Sequence, residues 1–486
     1  MNLLERINHW AKVAPSATAH RSGSRELSFG ELSAFSNALA VHLLEEYGNS
    51  QAPVAVIGHR EPEVLVAFIG IVKAGRPYVP IDTAFPEERI QHIIGISKPA
   101  VVLTPQEIAK ISQTSKPSPP PGLLRADHPF YIMFTSGSTG TPKGIIITLG
   151  CVENFIEWML RQHKFIERGE IFLNQAPFSF DVSVIDLYCS LVTGGTDFSI
   201  SRDLLSDPKL LYRALANSNI TTWVSTPSFA EMCLVERTFN RTLLPYVRRF
   251  LFCGEMLLPA TVRMLLDRFP DAEIWNLYGP TETTVATTSV RIDRNILEKY
   301  ASLPIGYSMP GSEVFLIDEN RNRLPRGSRG EIAVKGPNVS QGYLARPDLT
   351  ASRFFDENGQ RAYRTGDWGT FRDELLFFEG RIDNQIKLSG YRIELGDIET
   401  NLRALPMVRD AAVVAVLKNG KTQWLAAFVV PNANFEPADS GLTSILRERL
   451  RQRAPAYMLP RRFVFLDAFP ITANGKVDRR KLAESL

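Results

Sequence analysis

Apolar residues fall at helical spacing from the first turn of the chain. Leu3, Leu4, Ile7, Trp10, Ala11 and Ala14 share one face and predict an amphipathic helix. Short unbroken apolar runs follow, separated by stretches of helical periodicity. PVAVIG (53–58) and RPYVPID (76–82) read as buried strands flanking a helix over 61–74, and PAVVLT (99–104) reads as another strand. Between 171 and 279, TTWVSTPS, RRFLFCG and AEIWNLYG each read as a strand running into a loop. Strands alternating with helices predict an α/β protein whose mostly parallel sheet is covered on both faces. The Pro/Ser cluster SKPSPPPG (115–122) suits neither a helix interior nor a central strand, so it reads as a surface loop.

After Ser302 the texture changes. SEVFLID, GEIAVKG and ELLFFEG are short runs between turn signals and predict a β-rich subdomain. Beyond RIDNQIK comes LGDIETNLRAL as a helix, AAVVAV and WLAAFVV as strands, and LTSILRERLRQRA as a second helix. That is a small α+β domain of about a hundred residues. The expected organisation is an N-terminal core over 1–382 and a C-terminal domain over 383–486.

Composition narrows the class. The 486 residues are 44% hydrophobic and 22% charged, which excludes wholesale disorder and collagen-like repeats. No apolar run approaches the ~20 residues that span a bilayer, so membrane insertion is not expected. Glu5 and Arg6 stand where a signal peptide needs an apolar stretch. Cys151, Cys189, Cys233 and Cys253 form no CxxC and read as reduced thiols of a cytoplasmic protein. A net charge of +3 gives no argument for nucleic acid. From Asn384 onward there are 16 Lys and Arg against 10 Asp and Glu, a net of +6 on a body of net −3. A solvated face and a docking surface for an acidic partner both fit that tail.

Five segments carry chemistry. Thr135-Ser-Gly-Ser-Thr-Gly-Thr-Pro-Lys-Gly144 follows the strand FYIMF, and its glycines and hydroxyls let backbone N–H groups surround phosphate oxygens. It is not a Walker A loop, because Pro142 precedes Lys143 and Gly144 follows it. Asn276-Leu-Tyr-Gly-Pro-Thr-Glu282 places a turn beyond a strand end, where ligands sit in open α/β sheets. Tyr278 offers a ring for a flat base, and Glu282 a hard oxygen for a divalent cation. Tyr363-Arg-Thr-Gly-Asp367 presents an acidic residue suited to ribose hydroxyls or, equally, to an Asx-turn. The remaining two are GRIDNQIKLSGYRIELGDIE (380–399) and Asn474-Gly-Lys-Val-Asp-Arg479. The seven histidines all lie at or before His163, which disfavours a Ser-His-Asp hydrolase.

In this order and spacing the five segments, with GEIAVKGPNVSQGYL, resemble the adenylate-forming enzymes over nearly the whole chain. That superfamily comprises nonribosomal-peptide adenylation domains, acyl-CoA synthetases and luciferases. NQAPFSFDVSV, STPSFAEMCL and FLFCGE look most like its D-alanine–D-alanyl carrier protein ligases. The resemblance implies ATP-dependent formation of D-alanyl-adenylate with Mg2+. The acyl group then passes to the phosphopantetheine thiol of a holo D-alanyl carrier protein supplied in trans, for cell-envelope polymers such as lipoteichoic acid. It implies a monomer with a mobile C-terminal lid.

It also implies roles for named residues. Thr135, Ser136 and Lys143 belong to the loop over the β- and γ-phosphates. Asn276, Leu277, Tyr278, Gly279, Pro280 and Thr281 hold adenine and the α-phosphate. Asp367 takes the ribose, Phe378, Glu379, Gly380 and Arg381 line the nucleotide's other side, and Glu282 is the magnesium ligand. Lys476 is the catalytic lysine, touching both ATP and D-alanine, and Asp383 is the hinge. Asp181, Val182, Cys253 and Val285 form the D-alanine pocket, with Asp181 on the ammonium. An adenylation enzyme for another small amino acid is the alternative; a non-catalytic nucleotide-binding module needs neither Lys476 nor Asp383.

Overall fold

The first helix is set by its own ends. Asn2 accepts from the Glu5 amide at 2.8 Å while the Glu5 carboxylate accepts from the Asn2 amide at 2.9 Å. This reciprocal cap starts the helix Leu3–Val13 and turns Leu3, Ile7 and Trp10 into the core. Trp10 also donates its indole N–H to the Val192 carbonyl at 3.0 Å, so the anchor is polar as well as apolar.

The computed structural model describes residues 1–114, 124–137, 140–383, 385–432, 441–471 and 477–486. The Pro/Ser cluster expected as a loop lies outside them. The chain folds into two compact units. The first takes in 1–82, 97–133 and 145–382. The second takes in 83–96, 134–144 and 383–486, so the segment of the first motif groups with the C-terminal residues.

Among the described residues, the first unit is built on three sheets. A nine-stranded sheet has a parallel centre in the spatial order Glu273–Tyr278, Arg249–Phe252, Thr222–Ser225, Ile171–Asn174, Thr196–Ser199 and Thr18–Ser22. Antiparallel strands close both edges, Thr288–Arg291 and then Tyr307–Ser308 at one and Arg25–Ser28 at the other. A second sheet of six strands carries Val54–Gly58 between Tyr78–Asp82 and Val101–Leu103, all parallel. The helix Pro62–Lys73 is buried along its whole length, because β-branched and aromatic residues occupy every face of it. A third, antiparallel sheet contains Glu313–Ile317, Arg329–Lys335, Gln360–Arg372 and Leu375–Arg381. STPS is not a loop: Thr226 precedes a helix Pro227–Leu234, with proline at a first-turn position that needs no N–H.

In the second unit a three-stranded sheet (Val408–Lys418, Lys421–Pro431, Arg462–Phe465) packs on the helices Leu395–Arg403 and Leu442–Arg451 through Ile398, Leu402, Leu446 and Leu450. No helix among the described residues is long and apolar enough to cross a membrane.

The first unit also buries a polar knot. Asn174 donates to Asp186 at 2.5 Å and accepts from Ser199 at 2.9 Å, and Ser199 in turn reaches Asp197 at 3.2 Å and His20 at 3.1 Å. Burial pushes Asp197 up to about 7 and His20 down to about 3, and burial with the Asp197 charge raises Asp186. Between about pH 4 and pH 7 the folded chain therefore keeps an Asp197 proton that the unfolded chain has released, so this group's contribution to stability falls as pH rises. Asp197→Asn, which cannot ionise, should gain on the natural chain across that window by up to about 1.4 kcal/mol per pH unit and level off above it. Urea midpoints of both proteins from pH 5 to 8 check this; a constant difference would mean that Asp197 is ionised in the fold.

Candidate active site

Parallel strands deliver their carboxyl ends to one edge of the nine-stranded sheet, where open α/β sheets bind ligands. Arg249–Phe252 ends at Cys253, and its neighbour Glu273–Tyr278 ends at Gly279. A β-carbon on Gly279 would lie 2.6 Å from the Ala286 α-carbon and 2.8 Å from the Thr287 nitrogen. Only glycine lets the chain fold back on itself here, as the Thr287 amide returns to the Tyr278 carbonyl at 2.8 Å.

Inside that return, Thr281–Thr283 forms a single 3-10 turn and the next two residues are left-handed, Thr284 at φ 58° and Val285 at φ 67°. Both are β-branched, and such backbone costs on the order of 1–3 kcal/mol per residue unless its surroundings impose it. Asn338 imposes it. Its side-chain amide donates to the Thr283 carbonyl and the Thr287 hydroxyl, both at 2.9 Å, and its backbone carbonyl accepts from the Thr284 hydroxyl at 2.8 Å. Ser312 fixes the Asn338 side chain from behind at 2.6 Å. The Cys253 thiol donates to the Val285 carbonyl at 3.8 Å, a sulfur-length bond, so Cys253 and Val285 are in contact and both are buried.

Asp181 and Val182 stand just ahead of the helix Ser183–Thr193. The N-cap position of that helix is Val182, whose side chain gives no cap. The Asp181 charge adds to burial in raising the Tyr131 phenol well above its ordinary range.

A second cluster forms around Asp367. Its carboxylate accepts from the Tyr278 hydroxyl at 2.6 Å and from the Arg381 guanidinium at 2.5 Å. Burial, then the Asp367 charge, holds the Tyr278 phenol protonated far above its ordinary range. The Tyr278 and Phe378 rings lie 6.4 Å apart at 41° and leave flat apolar surface beside this polar group. A bulge between Asp367 and Gly369 in the pairing with Leu375–Arg381 aims the carboxylate. Asn276 is spent on structure, donating to the Pro304 carbonyl at 2.8 Å, and Leu277 packs in the core. Glu379 lies apart from the cluster, tied to Arg372 at 3.1 Å and Arg329 at 3.2 Å, and Gly380 has open space beside it.

Glu282 is fully buried and accepts from the Tyr343 hydroxyl at 2.7 Å. No group of three His, Cys, Asp or Glu among the described residues is arranged to hold a metal. One carboxylate fits a magnesium ion that keeps its waters and phosphate oxygens, and does not fit a resident ion held by protein alone.

In the second unit, Ser136 donates to the Arg392 carbonyl at 2.8 Å and accepts from the Glu394 amide at 3.1 Å. Lys143 pairs with the Glu394 carboxylate at 3.2 Å. The Thr135 hydroxyl oxygen is buried with no hydrogen-bond partner among the described residues. Asp383 accepts from the Gln385 amide at 3.2 Å. Lys476, with Ser138 and Thr139, lies outside the described residues.

Three supporting residues carry no role that their place in a motif would suggest. Glu331 accepts from the Gly366 amide at 3.0 Å and from Arg364, which fixes the turn ahead of Asp367. Asn338 and Tyr343 act as described. All three lie inside GEIAVKGPNVSQGYL, which marked the segment but not the jobs.

The chain matches the AMP-binding enzyme family over residues 7–344 and the AMP-binding enzyme C-terminal domain over 397–476. It is 43% identical over 499 aligned positions to the D-alanine--D-alanyl carrier protein ligases of Bacillus cereus (strain B4264) and Bacillus thuringiensis (strain Al Hakam), covering 99% of each chain. Among solved structures, the Vibrio cholerae adenylation domain AlmE, in complex with glycyl-adenosine-5'-phosphate, has a TM-score of 0.86 at 23% identity, covering 99% of this chain and 96% of its own. That likeness concerns the fold. Holo-PA1221, a nonribosomal peptide synthetase protein with adenylation and PCP domains, has a TM-score of 0.83 at 26% identity over 100% of this chain and 84% of its own.

The Gly279 return predicts an asymmetry between two glycines. Gly279→Ala should lower stability by about 1–3 kcal/mol, the usual cost of forcing a methyl into packed backbone. Gly95→Ala, in the helix Glu87–Ser97 with nothing within 4 Å of the new carbon, should be neutral or gain about 0.5–1 kcal/mol. Denaturant midpoints of the two variants check the pair, and equal effects would mean that crowding against Ala286 and Thr287 does not set the cost.

Proposed function

The chain belongs to the AMP-binding enzyme family and has its adenylate-forming fold, and on that premise we propose that it is a ligase joining D-alanine to the phosphopantetheine thiol of a carrier protein through a D-alanyl-adenylate. The observation that carries this reading is the end-to-end likeness, 99% of both chains, to ligases named for D-alanine and its carrier protein. The holo carrier acts in trans, the enzyme works as a cytoplasmic monomer, and the acyl group is destined for a cell-envelope polymer. Asp383, the first residue of the C-terminal stretch in the second unit, is the proposed hinge.

The chemistry asks little of acid–base groups. A carboxylate is ionised at neutral pH, so its oxygen attacks the α-phosphorus without a general base, and the bond to pyrophosphate breaks. The protein must hold two anions together and steady the charge at phosphorus. Tyr278 and Phe378 offer apolar faces to adenine. Asp367 is oriented by Tyr278 and Arg381, its remaining acceptor capacity suiting the ribose hydroxyls. Glu282 would hold magnesium arriving with ATP; the ion supplies charge neutralisation at the phosphates. Lys476 is the proposed bridge between substrate carboxylate and α-phosphate. In the second half-reaction the carrier thiol attacks the acyl carbon and AMP leaves.

Asp181 pairs with the substrate ammonium and separates an amino acid from a plain fatty acid. The Cys253–Val285 contact bounds the space for the side-chain methyl. One methyl is worth about 1–3 kcal/mol, so preference for the D form is strong but finite.

ATP–pyrophosphate exchange with D-alanine, L-alanine, glycine, D-serine, L-serine and acetate tests the reading: strong with D-alanine, about ten- to a hundredfold weaker with L-alanine, absent with acetate. A different preferred amino acid would reassign the substrate. Cys253→Ala should raise L-alanine exchange relative to D-alanine; an unchanged ratio would take Cys253 out of selectivity. Lys476→Ala should abolish adenylate formation and spare transfer from preformed D-alanyl-adenylate; equal loss of both steps would contradict its single role.

A further inference from the structure

Two phosphate-loop groups of the second unit, Ser136 and Lys143, are already engaged. The Ser136 hydroxyl both donates to and accepts from the stretch 392–394. The Lys143 ammonium faces Glu394 at 3.2 Å, with only about a tenth of either side chain exposed. Gln385 donates to the same Glu394 oxygen at 2.8 Å across the strand pair Gln385–Leu388 and Tyr391–Glu394. Glu394 occupies the N-cap position of the helix Leu395–Arg403 yet gives that helix no side-chain cap. Its carboxylate is committed to the loop instead. Loop and helix are close-packed as well, since a β-carbon on Gly140 would lie 3.0 Å from the Thr400 methyl.

We propose that Glu394 is an internal stand-in for phosphate, an affinity- and selectivity-setting residue that ATP must displace from Lys143. This rests on the reading of Lys143 as a phosphate ligand. Two consequences follow from the charge. Apparent affinity is the intrinsic affinity reduced by the fraction of molecules whose lysine is free. A triphosphate brings enough charge to displace a hydrogen-bonded carboxylate, whereas a single inorganic phosphate does not, so the pair screens the loop against abundant monophosphates.

The test is a gain of binding. Glu394→Gln keeps the shape and a partner for Gln385 but removes the competing charge. ATP binding by equilibrium dialysis should tighten about three- to tenfold, and inorganic phosphate at about 10 mM, tolerated by the natural protein, should now compete. Glu394→Asp, which retracts the charge by one methylene, should move the same way by less, and serves if the glutamine variant does not fold. In a Lys143→Met background, Glu394→Gln should give no gain. Unchanged or weaker ATP binding by folded variants overturns the proposal, as does a gain that persists without Lys143, because a merely structural Glu394 would not oppose nucleotide. Failure of the natural protein to bind ATP at all would overturn the functional reading and this inference together.

Discussion

No side chain fits at position 279. The close approach of Gly279 to the backbone of Ala286 and Thr287 is the constraint on which the carboxyl edge of the nine-stranded sheet depends. It forces the chain to double back within a few residues of a central strand end. That return sets Tyr278 facing Asp367, sinks Glu282 into the interior, and twists Thr284 and Val285 into backbone that β-branched residues avoid. The local return does not hold these placements alone. Each is held by a residue tens of positions away: Asn338 on the strained pair, Tyr343 on Glu282, Glu331 on the turn before Asp367.

The two polar arrangements differ in kind. Around Asp367, one carboxylate is shared by a phenol and a guanidinium and is satisfied within a single unit, which suits a fixed recognition group. At Lys143 the satisfaction comes from a carboxylate of like charge to the proposed ligand. A cation buried with a replaceable partner avoids the cost of standing unpaired, and its affinity for a second anion is set by the first. The knot at Asp186, Asp197 and His20 belongs to neither group. It joins strands and a helix at the opposite side of the sheet's centre from the antiparallel strands Thr288–Arg291 and Tyr307–Ser308.

Much of the fold was legible in the sequence because its signals are short-range. β-branched runs such as VAVIG and the helical stripe of the first fourteen residues need only their neighbours to be interpreted. The helix after Thr226 was misread as loop although Pro227 at a first-turn position was the available signal. The motif residues were legible as chemistry: aromatic, acidic and hydroxyl groups at strand ends. Their partners were not. Arg381 and Asp367 are 14 residues apart and fall within reach of pattern reading, whereas Glu394 and Lys143 are 251 apart. Only the folded chain shows that the lysine has an acidic neighbour, or that Asn276, a polar residue in a ligand motif, gives its side-chain amide to the Pro304 carbonyl.

The left-handed backbone at Val285 has a consequence for how the enzyme's substrate range can evolve. Cys253 follows a regular strand, where nearly any small side chain is tolerated by the backbone, so single substitutions there would reshape the proposed pocket at little conformational cost. At 285, φ of 67° admits few L residues, and each replacement must also suit the Asn338 clamp. Of the two proposed walls, one is free to drift and the other is bound to the loop's architecture. A lineage acquiring a new amino acid would record the change at 253 first, with 285 changing only after its supports have been rebuilt.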